Sequence, residues 1–461
     1  MTDIVEALRQ GAALAGADGE FVAATRGLDS PIHLRVEAAA AAARGAPGQA
    51  AGEPIVAWAG AAGAPPIVLQ AGEPTWRRIA SAAPPPGHHS FTAARRLPEG
   101  FAVHGEPLAV AQALHALERL FEILRRPGDA GAPCGGGIDG GPAGRDAADA
   151  GAGGASASGT VAVAVAATPP PAAALPDLSA ISGAYFRLDV DGEPLNVYAE
   201  TCGPADAPAL LMLHTAGADS RQYHGLMADP RLRASWRMMA FDMPGHGRSM
   251  PAAGAAWQGR ALTRERYLAV CAAFARQVAR RPVVLLGCSM GAAMALYMAA
   301  RHPGDVAGVV ALEAPWRATG RLTPYLAHPA VNATAHNPAY VRGLMGPAAS
   351  QQARRDAAWI YSQGGFRTYA DDLQFYSEDF DAEVHLRGLR ADRFGISLLT
   401  GAYDYSASPE DSRRVAAMIP GARFAVMPEL GHFPMVEDPA RLMDYLGPEL
   451  ERIRAGGTAA S

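Results

Sequence analysis

The spacing of hydrophobic residues divides this chain into parts with different structures. In the first part, residues 4–14 have apolar side chains at helical spacing. A short helix is expected at 74–79 and a longer amphipathic helix at 107–124. Short alternating segments predict strands at 21–25, 32–37, 55–58, 67–69 and 101–105. Residues 1–126 are therefore predicted to form a small α+β domain.

The next part, residues 127–178, has almost no large side chain. It consists mainly of Ala, Gly, Pro, Ser and Asp, and it includes the run Thr168-Pro-Pro-Pro171. Such a segment buries too little apolar surface to offset the entropy lost on ordering. We therefore expect a flexible, disordered linker between two domains.

Residues 179–455 show a third pattern, in which nearly continuous apolar runs alternate with helical stretches. Runs that are apolar on both faces are typical of parallel strands covered by helices. The turn Asp191-Gly192 also predicts a hairpin. The predicted strands lie at 185–190, 195–200, 209–214, 237–241, 283–286, 306–312, 394–400 and 423–427. The fold class is therefore α/β with a mostly parallel sheet, and ligands are expected at the carboxyl ends of its strands.

Composition narrows the possible functions. The 461 residues are 49% hydrophobic and 18% charged, and the net charge of -5 argues against a nucleic-acid partner. All 40 basic residues are arginine, which excludes Ser-Lys catalysis, Schiff-base chemistry and a phosphate-binding loop with lysine. The four cysteines lack the spacing of a metal site or a disulfide framework.

The chain shows no membrane signal. Its first residues lack the charged start and apolar core of a leader peptide, and its apolar runs are shorter than the roughly 20 residues of a membrane span. We therefore expect a cytoplasmic protein without stable membrane insertion; the oligomeric state stays open.

The segment most informative about chemistry is Gly287-Cys288-Ser289-Met290-Gly291, which joins a predicted strand to a predicted helix. A Gly-x-Ser-x-Gly turn of this kind is a nucleophile elbow, because the two glycines permit a turn that exposes the serine hydroxyl. Ser289 is therefore the candidate nucleophile. Cys288 is expected to be a small packed residue rather than a nucleophilic thiol.

Candidate partners for Ser289 follow the last two strands. Asp404 follows the strand at 394–400, and His432 follows the strand at 423–427. A histidine removes the serine proton during attack, and a carboxylate orients the imidazole. Glu313, at the end of the strand at 306–312, is the alternative acid.

Two backbone amides are candidates for an oxyanion hole. The first belongs to Met290, directly after the nucleophile, and the second to Ala216 in the loop after His214, with Thr215 as the alternative.

Residues 180–455 resemble the α/β-hydrolase superfamily, on the strength of His214, the stretch 242–249, the elbow, Gly401-x-x-Asp404 and Gly431-His432. The resemblance implies an α/β-hydrolase fold, Ser-His-Asp chemistry, no metal and no organic cofactor. It also implies a helical lid at about 315–389 and a structural role for His246. Thr215 departs from the family, which usually has glycine there.

The expected reaction is hydrolysis of a carboxylic ester, thioester or lactone through an acyl-enzyme, as in carboxylesterases. The aromatic residues of the lid favour a hydrophobic or aromatic small-molecule substrate, and Thr215, Trp316 and Phe433 are candidate pocket residues. One alternative is a carbon-carbon hydrolase of ring-fission diketones, although Cys288 and Phe433 depart from that group. Another is an inactive ligand-binding or sensing protein.

The first domain is similar to sterol-carrier-protein type-2 domains. The similarity rests on the order of its elements: the helix containing Trp76, a strand flanked by glycines, and a long leucine-rich helix. It covers residues 1–125 and implies a lipid- or acyl-binding role. The alternative is a scaffold or dimerisation module.

Overall fold

A computed structural model describes residues 3–37, 53–125, 176–251, 262–318, 321–364 and 367–458. The predicted linker at 127–178 therefore lies outside the described residues, except for its last three positions. The strands, in chain order, are β1 Ile32–Glu37, β2 Ile55–Trp58, β3 Ile67–Gly72, β4 Phe101–His104, β5 Ser182–Val190, β6 Glu193–Cys202, β7 Ala209–Leu213, β8 Arg237–Phe241, β9 Val283–Cys288, β10 Val306–Leu312, β11 Gly395–Gly401 and β12 Arg423–Met427.

The helices are α1 Ile4–Ala17, α2 Gly19–Ala24, α3 Glu73–Ile79, α4 Phe91–Ala94, α5 Pro107–Gln112, α6 Leu114–Arg125, α7 His224–Met227, α8 Pro230–Ser235, α9 Arg264–Phe274, α10 Met290–Arg301, α11 Ala333–Leu344, α12 Gln351–Ser362, α13 Thr368–Glu378, α14 Ala382–His385, α15 Pro409–Met418, α16 Pro434–Glu437 and α17 Pro439–Thr458. A π-helical turn, Ala275–Ala279, follows α9, and short 3-10 helices lie at Ser220–Tyr223, Pro303–Asp305 and Pro324–Ala327.

The described residues 3–125, here called the N-terminal region, contain a four-stranded sheet in the order β2-β1-β3-β4. Strands β1 and β3 are parallel, and the outer strands are antiparallel to them. Trp76, Phe91, Phe101 and Phe121 form a cluster of edge-to-face and tilted ring contacts in this region. The mixed α+β arrangement agrees with the sequence pattern. The resemblance to sterol-carrier domains stays a prediction.

One predicted strand of this region is wrong. Residues 21–25 lie in and directly after helix α2 rather than in a strand. The Asp18 side chain accepts a hydrogen bond from the Phe21 amide at 2.8 Å and so caps the first turn of the helix. The Phe21 side chain is buried, and α2 packs against α6. The cap and this packing outweigh the strand preference of a short apolar run.

The larger sheet has eight strands in the order β12-β11-β10-β9-β7-β8-β6-β5. Strands β7 to β12 pair in parallel, whereas β5 and β6 form the predicted antiparallel hairpin and β6 pairs antiparallel with β8. The central strands β7 and β9 are buried along their whole length, because helices cover both faces of the sheet. This is the mostly parallel α/β fold that the apolar runs predict.

The connection between β10 and β11 contains four helices, α11 to α14. Residues 315–389 of this connection are here called the insert. The N-terminal region packs directly on the insert, where α6 and α4 contact α11. Among the described helices, none combines the length and apolar character needed to cross a membrane.

Candidate active site

The nucleophile elbow joins β9 to α10. Ser289 has φ 56° and ψ -115°, a conformation that few residues other than glycine adopt. A Cβ atom at Gly287 would lie 2.1 Å from the Gly291 carbonyl oxygen, and one at Gly291 would lie 2.1 Å from the Leu213 carbonyl oxygen. Both glycines are therefore required for the close packing of this turn against itself and against β7.

Three predicted side chains meet at the carboxyl ends of the strands. The Ser289 Oγ lies 2.9 Å from His432 Nε2, and His432 Nδ1 lies 2.6 Å from Asp404 Oδ2. Asp404 lies in the loop after β11, and His432 lies in the loop after β12. All three residues are at most 3% exposed. They form one continuous hydrogen-bond chain that is shielded from solvent.

The pKa shifts of these residues favour a neutral His432 imidazole beside a negatively charged Asp404 carboxylate. Burial lowers the pKa of His432, and the adjacent Asp404 carboxylate only partly opposes that effect. Burial alone would raise the pKa of Asp404, but its interaction with His432 and its hydrogen bonds hold this pKa below the ordinary value. The amides of Ser406 and Ala407 donate to Asp404 Oδ1 at 2.7 and 3.1 Å.

Glu313, the alternative acid, lies beside Asp404 rather than beside His432. Its carboxyl oxygens accept from the Gly401 amide at 3.0 and 3.1 Å, and the residue is fully buried. Burial and the neighbouring Asp404 carboxylate raise the pKa of Glu313 well above its ordinary value. A protonated Glu313 can donate a hydrogen bond to Asp404, so the two carboxyl groups share one negative charge.

Cys288 is fully buried, and its Sγ donates to the His432 carbonyl oxygen at 3.2 Å. Burial raises the pKa of this thiol well above its ordinary value, so the thiolate is disfavoured. The thiol therefore bonds the backbone of the histidine loop rather than the His432 imidazole.

The two amides predicted for the oxyanion hole belong to segments that contact each other in space: the start of α10 and the loop after β7. Met290 is the first residue of α10, and Gly291 packs against the carbonyl groups of Leu213 and His214, which directly precede Thr215. Within the described ranges, the amides of Met290 and Ala216 donate to no protein acceptor. The Thr215 amide differs, because it donates to Gln222 Oε1 at 3.0 Å. This geometry favours Ala216 over Thr215.

Two of the predicted pocket residues lie near His432. The Phe433 ring contacts the His432 ring edge-to-face, with centroids 4.8 Å apart, and also contacts Tyr361 of the insert. The Thr215 Oγ is hydrogen-bonded to the Tyr361 hydroxyl. The third, Trp316, lines a surface cavity of about 500 Å³ together with Tyr405 and Ser406, which follow Asp404, and its ring stacks under the Arg414 guanidinium at 4.1 Å.

The insert supplies a residue that the sequence analysis did not assign to the site. The Tyr376 hydroxyl lies 3.2 Å from Ser289 Oγ, and the tyrosine is buried. In sequence, Tyr376 is one of many aromatic residues in the insert, and nothing in its spacing distinguishes it from core residues. Only the packing of α13 over the elbow identifies it.

His246 pairs with Asp372, which does not belong to the hydrogen-bond chain of Ser289, His432 and Asp404. Its Nε2 lies 2.7 Å from Asp372 Oδ2, and the same oxygen accepts from the Gly217 amide at 2.7 Å. Burial opposes protonation of His246, but Asp372 outweighs it and raises the pKa. His246 and the Gly217 amide are thus both bonded to Asp372 of α13, and the structural role that the resemblance implies for His246 stays a prediction.

Among the described residues, no group of three or more His, Cys, Asp and Glu side chains has a geometry suited to a metal ion. The arrangement that is present can deprotonate a serine, hold its base in one orientation and offer two amide donors to a developing negative charge.

Comparison with known proteins bears on the family and the fold. The model of the alpha/beta hydrolase family matches residues 210–445. A pimeloyl-[acyl-carrier protein] methyl ester esterase of Neisseria meningitidis serogroup B is 33% identical over 103 residues, which are 22% of this chain and 35% of that protein. The chain thus matches about a third of the length of this curated relative.

Solved structures resemble the larger sheet and its helices. A bromoperoxidase from Bacillus anthracis superposes with a TM-score of 0.50 at 16% identity, covering 58% of this chain and 100% of that one. A carboxylesterase study of Nitrososphaera gargenis provides another match, with a TM-score of 0.50, 16% identity and coverage of 58% and 99%. These likenesses concern the fold. The family match over residues 210–445, which is more than half of the chain, shows that the chain belongs to the alpha/beta hydrolase family.

Proposed function

We propose that this protein is a serine hydrolase that cleaves a carboxylic ester through an acyl-enzyme. The observation that carries the proposal is the hydrogen-bond chain from Ser289 through His432 to Asp404. A serine at the elbow forms an ester with an acyl group, which suits hydrolysis of esters, thioesters and lactones. The Neisseria relative is named as a methyl ester esterase, which also supports this class of reaction.

In the first half-reaction, Ser289 Oγ attacks the substrate carbonyl carbon while His432 Nε2 removes the hydroxyl proton. The Asp404 carboxylate holds His432 through Nδ1 and stabilises the imidazolium that forms. The carbonyl oxygen becomes negatively charged and accepts from the amides of Met290 and Ala216. Each such donor lowers the barrier by about 3 to 4 kcal/mol.

The tetrahedral intermediate then loses its alcohol, which receives the proton from His432. In the second half-reaction His432 removes a proton from water, the water attacks the acyl-enzyme, and Ser289 leaves with the proton returned by His432. The Tyr376 hydroxyl lies within hydrogen-bond distance of Ser289 Oγ in the resting site, 3.2 Å away.

The insert supports a lid function and a hydrophobic or aromatic substrate. Tyr361 and Tyr376 of the insert contact Thr215 and Ser289, and these contacts support a cover over the nucleophile. Aromatic side chains on such a cover favour apolar acyl or alcohol groups.

Replacing the nucleophile tests the proposal. Ser289→Ala should lower kcat/KM for p-nitrophenyl esters by roughly 10⁴- to 10⁶-fold, because the acyl-enzyme can no longer form. Cys288→Ala is the matched control at the neighbouring position, and it should stay within about 10-fold of the wild type. Mass spectrometry should find a trapped acyl or fluorophosphonate adduct on Ser289. Full activity in Ser289→Ala, or an adduct on Cys288, would contradict the proposal.

A further inference from the structure

The insert contains a buried arginine beside the candidate active site. Arg321 is 2% exposed, and its guanidinium donates to the Ser406 hydroxyl and, at 3.1 Å, to the Tyr369 hydroxyl. It also lies over the Tyr340 ring, 5.5 Å from the centroid. All of these partners are neutral at pH 7, whereas the guanidinium stays positively charged.

No carboxylate in the described part of the chain lies within ion-pair distance of Arg321. The Arg321 Nε is buried and has no hydrogen-bond partner among the described residues. Taking a cation out of water without an anionic partner costs several kcal/mol. The other two deeply buried arginines of the insert are by contrast paired with carboxylates: Arg342 with Glu20 and Glu122, and Arg354 with Glu122 at 3.8 Å. Arg321 is therefore a charge whose partner is not part of the described protein.

The position of Arg321 relates it to the reacting serine. Its partner Ser406 donates its amide to Asp404, and its partner Tyr369 lies on α13, the helix that also carries Tyr376. Tyr369 and Tyr376 are seven positions apart, which is two helical turns and about 10 Å along the axis. Arg321 and the nucleophile thus contact side chains of the same helix, two turns apart.

A surface cavity lies beside Ser406, one of the two hydroxyl partners of Arg321. The cavity of about 500 Å³ is lined by Ser406 and Tyr405, and its wall includes three arginines, Arg96, Arg317 and Arg414, against two acids, Glu383 and Asp411. Arg317 is also paired with Asp381, so the charges around this cavity are nearly balanced.

We propose that Arg321 binds a carboxylate group of the substrate, so that the enzyme acts on an ester or lactone that also carries a free carboxylate. This inference rests on the proposed function and specifies its substrate class. A planar guanidinium with unused N–H groups matches a carboxylate through two parallel hydrogen bonds. One carboxylate balances the single charge of Arg321, whereas a phosphate monoester carries about -1.5 to -2 and would leave excess negative charge buried.

The test compares two esters of equal chain length, monomethyl adipate and methyl hexanoate. The wild type should prefer the carboxylate-bearing ester, and Arg321→Met should lower the ratio of the two kcat/KM values by about 100-fold, because the buried carboxylate loses its partner. Arg321→Lys keeps the charge but loses the paired donors, so an intermediate ratio is expected. Arg390→Met is the control: it removes a charge from the surface, where Arg390 pairs with Asp392, and should change the ratio by less than about 3-fold.

Arg321→Met should also fold, because removing an unpaired buried charge relieves a desolvation cost. Its thermal unfolding midpoint should equal or exceed that of the wild type. Should it fail to fold, Arg321→Lys still tests the ratio. Preference of the wild type for methyl hexanoate, or a ratio that Arg321→Met leaves within 3-fold, would overturn the proposal.

A binding measurement separates failure of this inference from failure of the proposed function. Calorimetry with adipate should show binding to Ser289→Ala and at least 30-fold weaker binding to the Ser289→Ala, Arg321→Met double variant. Adipate binding without any ester hydrolysis by the wild type would reject the proposed function and keep the carboxylate site. Hydrolysis of neutral esters without adipate binding would reject the carboxylate site alone.

Discussion

Two adjacent carboxyl groups, Asp404 and Glu313, have different tasks because only one of them reaches the imidazole. Asp404 lies 2.6 Å from His432 Nδ1, whereas Glu313 accepts from the Gly401 amide and adjoins Asp404. We infer that Asp404 is the charged acid and that protonated Glu313 positions it. The structure thus distinguishes the two candidate acids that the sequence left open.

Paired amide substitutions test the assignment of the acid. Asp404→Asn should lower kcat by about 10⁴-fold, because the amide cannot stabilise the imidazolium and favours the wrong tautomer. Glu313→Gln keeps a donor toward Asp404, so a loss of no more than about 10-fold is expected. Steady-state kinetics on one p-nitrophenyl ester measures both. A larger loss in Glu313→Gln than in Asp404→Asn would reverse the roles.

The pH profile follows from the burial of His432. Burial lowers the pKa of this imidazole below its ordinary value of 6.5, and the reaction requires the neutral form. The acidic limb of kcat/KM should therefore have its midpoint below pH 6.5, with activity falling as the pH decreases through it. In Asp404→Asn the limb should move to still lower pH, because the carboxylate that favours the charged imidazole is gone. A midpoint above 6.5 in the wild type would contradict this account.

The strands and helices that position Ser289, Asp404 and His432 are largely readable from the sequence. Parallel strands buried on both faces need continuous apolar runs, and a nucleophile elbow needs its two glycines, so both leave local patterns. Residues 21–25 had an equally short apolar run, yet the Asp18 cap and packing on α6 made them helical. The local apolar pattern therefore predicts the secondary structure correctly only where no helix cap or tertiary contact favours another structure.

Helix α13 shows what local patterns cannot supply. Tyr369 and Tyr376 contact Arg321 and Ser289 from one helix, but an aromatic residue on a helix has the same sequence signal whether it packs in a core or faces a nucleophile. The unpaired state of Arg321 is likewise invisible in sequence, since it depends on which carboxylates fold around it. The roles of these residues can be inferred only from the folded structure, in which the insert lies over the elbow.

The contact between the N-terminal region and the insert joins the two parts of the protein through buried charges. Arg342 of α11 bonds Glu122 at 2.7 and 3.2 Å and also pairs with Glu20. Nearby, Ser90 donates to the Gly343 carbonyl oxygen at 2.7 Å. His89 packs against Tyr403 and Tyr405, the residues on either side of Asp404. The N-terminal region therefore supports both the insert and the acid loop.

Breaking this ionic cluster should destabilise the protein strongly. Arg342→Met leaves Glu122 buried with fewer cationic partners, and removing one partner of a buried ion pair costs about 3 to 5 kcal/mol. The free energy of unfolding, measured in urea, should fall by that amount. Arg355→Met is the matched control on α12, because Arg355 is half exposed and lies 4.0 Å from Glu20; its effect should stay below about 1 kcal/mol. Equal losses in the two variants would show that the buried cluster does not hold the N-terminal region on the insert.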